Sequence, residues 1–456
     1  MAGREAGDCG GEEPAREIPD DITGEILLRL PSRSALARAA VASCAFHALV
    51  ASPRFLRRHR SLHRDPGSLL GVFTFPLVPD GGRGGGDGSG FHPTEPPHPA
   101  ASTASAVAAA ADFSFGFLPA DPSATAGSEA AEWMVRDYRD GRFLLDRVPS
   151  GTGSTVFTEL AVCDPLSRRY VLLPPIPEDL ADTVHSVLTV FGGRRACEPF
   201  LAPAETCGAD DVDADPPLTV FWTARSPRKM VAFAFSSRDG RWRALESPNC
   251  FIWRRHRSPF SCPMAPISTV WNRRHYAHGC FYWVDCLTSR WLVLDGRTME
   301  LSLAMIPSPA GYWEEHVAVV EAPDGKLGVF AHGFHHPDGK ANLHYYTIVH
   351  DKEAAGDTKR WQLEKTIQLP WPSDHRSFCL RGTANGCLNV GLIIEVGEKK
   401  SVFMGSHRIR DAELFKIDVK SFQLQKICRA RCAGSAAGEC CWPYFGFPPS
   451  LSLPTV

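Results

Sequence analysis

Three groups of residues in this chain are of types that can do chemistry. His332, His335 and His336 cluster in AHGFHHPDGK. Imidazoles hold a divalent metal only where they converge in space, and a polar hairpin turn rich in His and Asp accounts for the same residues. Cys428, Cys432, Cys440 and Cys441 form C-x3-C-x7-C-C. A zinc site favours tight cysteine pairs on both arms, and adjacent cysteines in a strand point to opposite faces, so buried thiols are expected. The stretch GGRGGGDGSG contains a G-x-G-x-x-G-like string, but no strand precedes it and no helix follows, so it is no phosphate cradle. There is no G-x-S-x-G elbow. Asp and Glu are scattered, and no pair can be argued to face another. These residues point away from an enzyme, a metal site and a cofactor.

Charge narrows the partners. Lys+Arg is 49 and Asp+Glu is 51, a net charge of -2, so nothing global draws the chain to nucleic acid or an anionic membrane. Residues 54–64, RFLRRHRSLHR, are locally basic, but Phe55 is their one aromatic. Nucleic-acid sites interleave more aromatics, so a solvated helix is expected. No apolar window is long enough to span a membrane. The acidic, Gly-rich start lacks signal-peptide character, which makes cytoplasm and/or nucleus the expected compartment. There the 15 cysteines are read as reduced.

The elements that must position any site follow from periodicity. Residues 1–16 read as a disordered tail. In the next segment Ile22, Ile26 and Leu30 recur at i, i+4 and i+8, one stripe of a helix. Asp20 and Asp21 favour its positive end, and Pro31 stops it. A second run has Leu36, Ala40, Val41 and Cys44 inward, and a third carries Phe46, Leu49 and Val50 up to Ser52-Pro53. Three short helices bury little alone. Residues 79–130 read as a low-complexity insertion, a Gly-rich loop followed by a poorly ordered Pro/Ala tract. Short apolar strands flank it at residues 69–75 and 113–118.

From Trp133 a strand-turn-strand pattern recurs, with turns near Asp164, Asp239, Asp295, Asp351 and Asp418, spaced by 75, 56, 56 and 67 residues. The 39 glycines and 37 prolines supply many turns, and Asp324-Gly325 between alternating runs is a strong hairpin signal. Repeats of this size built from short strands indicate a β-propeller blade. A β-sandwich is the alternative, but five repeats fit radial repetition better.

The segment IPDDITGEILLRLPSRSALARAAVASCAFHALVASPRFLRRH resembles an F-box. The matching residues are Ile18-Pro19, Asp20-Asp21, Glu25-Ile26-Leu27, Arg29-Leu30-Pro31, Leu36, Arg38, Val41, Phe46 and Ser52-Pro53. Phe46 stands where the family commonly has Trp, and His47 occupies the basic position. The phrases DGRFLL, VCDPLSRRYVLLPPIP, HGCFYWV, LVLDGRTMEL and GKLGVF are similar to the F-box-associated β-propeller of plant F-box proteins. The resemblance implies a multidomain chain. A small all-α F-box of three helices spans 17–60, and an all-β propeller of six or seven blades spans 66–456. It further implies a substrate-recruiting adaptor of a Skp–cullin–F-box (SCF) ubiquitin ligase that does no covalent chemistry itself. Ile18, Pro19, Ile22, Ile26, Leu27, Leu30 and Pro31 are the expected face for the Skp adaptor, through which cullin is reached. The aromatic and basic stretch 251–260, with Trp253, Arg254 and Arg255, is the expected target contact. A propeller scaffold without ligase assembly is the alternative function.

Overall fold

The computed structural model describes residues 18–30, 33–52, 55, 58–59, 62, 69–74, 90–120, 132–148, 157–188, 197–203, 217–225, 230–245, 274–285, 290–305, 317–333, 340–351, 358–372, 378–384, 387–394, 403–404, 407–433 and 441–445. The chain divides into two compact units, Met1–Asp65 and Pro66–Val456.

The first unit is helical: α1 (Asp20–Leu28), α2 (Arg33–Ala42) and α3 (Cys44–Ala51). Asp20 and Asp21 occupy the first turn of α1, and the Thr23 N–H closes that turn on the Pro19 carbonyl at 3.0 Å. Leu27, Leu28, Leu36 and Phe55 form the core, with Leu30, Ala39, Phe46, Leu49 and Val50 packed against it. Val41 and Cys44, expected inward, are exposed. The core forms on the Leu27–Leu28 side of α1, so α2 turns Val41 to solvent. His59, buried beside Phe55, lies 3.1 Å from the Leu30 carbonyl and covers the end of α1.

The second unit is a β-propeller. It opens with β1 (Leu69–Thr74), β2 (Phe91–Pro93) and α4 (Ala101–Ala110). Blade one is β3 (Glu132–Arg139), β4 (Arg142–Val148), β5 (Leu160–Asp164) and β6 (Arg169–Leu172), followed by α5 (Glu178–Leu188). Blade two is β7 (Cys197–Leu201), β8 (Thr219–Arg225), β9 (Met230–Ser236) and β10 (Arg241–Leu245). Blade three is β11 (Arg274–Ala277), β12 (Cys280–Asp285), β13 (Arg290–Asp295) and β14 (Leu301–Met305). Blade four is β15 (Val317–Glu321), β16 (Leu327–Gly333), β17 (Lys340–Asp351) and β18 (Thr358–Pro372). Blade five is β19 (Phe378–Ala384), β20 (Cys387–Ile394), β21 (Phe403–Met404), β22 (His407–Asp418) and β23 (Leu424–Ala433). The last strand is β24 (Cys441–Phe445).

The blade count among the described residues is therefore five, not six or seven. Residues 69–74 do form a strand, but β1 lies between β2 and β24 in a three-stranded sheet that joins the two ends of the unit. Residues 113–118 form no strand. Each blade is antiparallel, and its first strand is an edge of the sheet. These first strands meet one another: β3 touches β7, β15 touches β11 and β19, and β11 also reaches β19. They are the inner strands of the propeller.

The Pro/Ala tract also departs from the expected disorder. Residues 90–120 are packed structure, not a poorly ordered segment. α4 buries Ala104 and Val107, and Phe113, Phe115 and Leu118 follow them into a core with Phe73, Phe91, Phe143 and Tyr444. Phe91 stacks on Phe113 with ring centroids 4.1 Å apart. Alanine is the best helix former, and a low-complexity run becomes a helix when aromatic neighbours supply the apolar surface that its small side chains lack. Close approach of β1 to residue 90 requires glycine there, because a Cβ on Gly90 would collide with the Thr74 carbonyl. Val107→Ala is expected to cost about 2–3 kcal/mol by removing two buried methyl groups. Thermal melting of the full-length chain checks this, and an unchanged midpoint would mean that α4 lies outside the cooperative fold.

The turns that lead into the last strand of blades one, two, three and five repeat one conformation. They are Asp164–Arg168, Ser236–Gly240, Asp295–Met299 and Asp418–Phe422. In each, the first side chain accepts the N–H two residues on: Leu166 to Asp164 Oδ1 at 2.9 Å, Arg238 to Ser236 Oγ at 3.3 Å, Arg297 to Asp295 Oδ1 at 2.7 Å, and Lys420 to Asp418 Oδ1 at 3.1 Å. The fifth residue is left-handed, with φ of 54, 66, 61 and 58° at Arg168, Gly240, Met299 and Phe422. In blade two the capping residue is Ser236, and Asp239 sits at the fourth position. Burial alone would raise the Asp418 carboxyl, but hydrogen bonds from Ser421 and Lys420 hold it below its ordinary range. Arg168 is exposed and gains nothing visible from its left-handed backbone. Arg168→Gly is therefore expected to stabilise by about 0.5–1 kcal/mol, opposite to the usual sign for glycine. A lower melting temperature would show that the Arg168 side chain earns its conformation.

Candidate functional site

Two arrangements stand out, one in each unit. In the helical unit, α1 divides its apolar residues between two sides. Leu27 and Leu28 are buried at 4% and 3% exposure, whereas Ile18, Ile22 and Ile26 are 60%, 49% and 52% exposed. Pro19 is also exposed, and Leu30 is half-buried against the core. The four-residue spacing of the isoleucines continues the helix stripe one turn before α1 begins. Leu27 thus belongs to the core of the unit rather than to a free face, and Pro31 lies outside the described residues. Beside the stripe runs a groove of about 400 Å³, lined by Ile22, Gly24, Leu28, Leu49 and Phe55. Glu25 and Arg58 close one side with an ion pair. A Cβ on Gly24 would meet nothing, so the groove floor is open there. Sequence periodicity found this stripe, but it merged Leu30 into it and left out Leu28.

In the propeller unit, three inner strands bring charges together. Arg274 of β11 donates to Asp137 Oδ1 of β3 at 2.8 Å and to Glu198 Oε1 of β7 at 2.5 Å. The Leu201 N–H donates to Asp137 Oδ2 at 2.8 Å, and Trp283 Nε1 lies 3.4 Å from Glu198 Oε2. The guanidinium stacks 4.1 Å from the Phe200 ring centroid. The side chains of Arg274 and Asp137 are 11% and 5% exposed. Two residues further along β3, Arg139 lies over the Tyr276 ring at 4.6 Å. Both oxygens of Asp137 are used, so the group acts as a clasp across three blades. Sequence reading missed it. The available signal was one charged residue in each of β7 and β11, Glu198 and Arg274, whereas β3 carries four and singles out none of them.

The other expected residues are placed as follows. Trp253, Arg254 and Arg255 lie outside the described residues, as do His335 and His336. His332 is fully buried in β16, and Cys428 is a buried thiol in β23. Among the described residues no group of three His, Cys, Asp or Glu side chains is placed to hold a metal ion, and no helix is long and apolar enough to cross a membrane. Trp222, Trp242, Trp283 and Trp291 are core residues, and Trp361 stacks on Trp291 at 5.9 Å between blades three and four.

The C-terminal unit thus defines the chain as a β-propeller protein. No family model matches the chain, and no curated protein matches it. Solved structures that it resembles include an intramolecular trans-sialidase from Ruminococcus gnavus, at 10% identity and a TM-score of 0.28, covering 60% of this chain and 50% of that one. The β-propeller domain of the Trilobed protease from Pyrococcus furiosus is similar at 8% identity and a TM-score of 0.28, covering 65% of this chain and 97% of that one. An alpha-L-arabinanase from Penicillium chrysogenum is similar at 13% identity and a TM-score of 0.31, covering 66% and 93%. The chain spans about half the length of the sialidase. At these scores the likenesses carry nothing about activity.

Proposed function

We propose that the chain is a substrate-recruiting adaptor of an SCF ubiquitin ligase. In this reading the helical unit is an F-box that docks on a Skp-type adaptor and through it on cullin. The propeller unit holds the target protein, and the chain itself forms no covalent bond. It would work in the cytoplasm, the nucleus or both. One observation carries the reading. Ile18, Ile22 and Ile26 stand exposed on a helical unit that already has its own core of Leu27, Leu28, Leu36 and Phe55. Burying each half-exposed isoleucine against a partner helix is worth on the order of 1 kcal/mol, which gives the stripe a reason to be apolar. The F-box resemblance of residues 17–60 supplies the partner's identity. Phe46 packs against the core from its position in α3, so an aromatic still fills the place where the family commonly has Trp.

The test is a pull-down of the full-length chain and of residues 66–456 with purified Skp-type adaptor and cullin. The reading expects both partners to come down with the full-length chain and neither with the shorter one. Capture of neither by the full-length chain would leave the scaffold function in its place.

A further inference from the structure

We infer that residues 94–100, the turn joining β2 to α4, form an acid-released latch on the closure of the propeller, with the His98 imidazole as its sensor. This does not rest on the F-box reading, since every residue involved is in the second unit. The propeller closes where β1 meets β2 and β24, and the turn ties that sheet to blade five. The Thr94 N–H donates to the Leu70 carbonyl of β1 at 2.9 Å, and the Glu95 N–H donates to the Ile427 carbonyl of β23 at 2.9 Å. Glu95 Oε1 in return accepts the Arg429 N–H at 3.2 Å. His98 holds the turn in shape. Its N–H donates to the Glu95 carbonyl at 2.9 Å, and its carbonyl accepts the N–H of Ala101, the first residue of α4, at 3.0 Å.

The imidazole is set for one protonation state. His98 is 5% exposed. Its Nδ1 accepts the Ala100 N–H at 3.2 Å, so the one proton of the neutral imidazole is on Nε2. That Nε2 is buried with no hydrogen-bond partner among the described residues. A second proton has Nδ1 alone to go to. There it faces the Ala100 N–H, and donor against donor loses the bond. Nor does a carboxylate offset the new charge. β1, α4 and β24 carry no charged residue. From blade five it is Lys416 of β22 that acts on the imidazole, while Glu413 is paired with Lys426 and Arg429. Burial holds His98 below the ordinary histidine value of 6.5, and Lys416 lowers it further. The folded value is the lower one, so the neutral imidazole's contribution is whole above about 6.5 and is lost as pH falls below it.

His92, in β2 of the same segment, is built differently. Its Nε2 lies 2.9 Å from Thr74 Oγ1, and the Thr74 hydroxyl also reaches the Gly90 carbonyl at 3.4 Å. A protonated His92 can therefore donate to Thr74 Oγ1 while the hydroxyl turns to Gly90. Burial lowers His92 too, but Glu95 acts to raise it. His98 has no such exchange of partners. A protonated His98 is relieved by leaving its seat for water, and the bonds of Thr94 to β1 and of Glu95 to β23 leave with it. Acid thus unties the closing sheet from blade five at one turn, without a charge change in any blade core.

Hydrogen exchange of the full-length chain, read peptide by peptide at about pH 7.5 and about pH 5.5 and corrected for the intrinsic effect of pH on exchange, tests the latch. Opening of residues 90–110 is expected to rise about five- to ten-fold at the lower pH, ten-fold being about the most that one histidine supplies one unit below its free value. Peptides of β12 should change by less than about two-fold. In His98→Asn the side-chain carbonyl can accept the Ala100 N–H and takes up no proton in this range, so the acid response should vanish. No rise in the parent would overturn the latch, as would an equal rise in β12 or a full acid response in His98→Asn. Should His98→Asn already be open at the higher pH, Lys416→Gln decides. Removing that cation lets the buried imidazolium form more easily, so the acid response should shrink by about two-fold, and an unchanged response would overturn the assignment.

Discussion

Replacing Arg274 with methionine is expected to destabilise the propeller unit by about 3–5 kcal/mol. The loss comes less from the missing attraction than from what remains. Asp137, at 5% side-chain exposure, and Glu198, at 21%, would keep their charges without the cation that faces them. Glu198 has water on one side, which softens its share; Asp137 does not. Methionine keeps most of the apolar length that lies on Phe200, so packing loss is small. A second variant separates the two causes. Adding Asp137→Asn and Glu198→Gln to Arg274→Met removes the stranded charges, and about half of the stability should return. Both are read by thermal melting of the full-length chain through tryptophan fluorescence, to which Trp283, beside Glu198, contributes. If Arg274→Met melts like the parent, the clasp holds nothing together, and the blades are held by their apolar contacts alone.

That clasp also marks a limit of sequence reading. Its members are separated by 76 and 137 residues. No local pattern pairs a charge in one inner strand with charges two blades away. The turns are the opposite case. Asp-x-x-Ser/Thr with a left-handed fifth residue is a local device, so the recurring Asp164, Asp295 and Asp418 were legible as repeats. Blade two was misaligned because Ser236 performs the capping and Asp239 merely lies nearby. The Pro/Ala tract failed for another reason. Its composition states how little each side chain buries, but the burial of Ala104 and Val107 is supplied by aromatics of β1, β2 and β4. Blade number failed because β1 reads as one more strand of a repeat, whereas its partner β24 comes from the far end of the chain. The helical unit was half legible. A stripe of period four cannot say which of two adjacent apolar sides of α1 faces inward, and the choice fell to Leu28, which pairs with Leu27 and Phe55.

The same division of α1 allows a substitution that removes the docking face without touching the fold. In the combined variant Ile22→Asp and Ile26→Lys, an acid enters the first turn of α1 and a base enters its last, each where the helix dipole favours it. The two lie four residues apart and can pair along the helix. Both positions are about half exposed, so the helical unit should keep its stability to within about 0.5 kcal/mol. Binding to the Skp-type adaptor should fall by about a hundred-fold or more, because two charges would be pressed into an apolar seam and two buried anchors lost. Isothermal titration measures the affinity, and helical circular dichroism of the same sample verifies the fold. Leu28→Asp is the contrast: at 3% exposure its carboxylate would have no partner in the core, so binding and helix signal should fail together. Loss of binding with the helices intact would assign the exposed side of α1 to the adaptor. Retained binding would mean that Ile22 and Ile26 face no partner in that complex, and the adaptor reading would lose the observation that carries it.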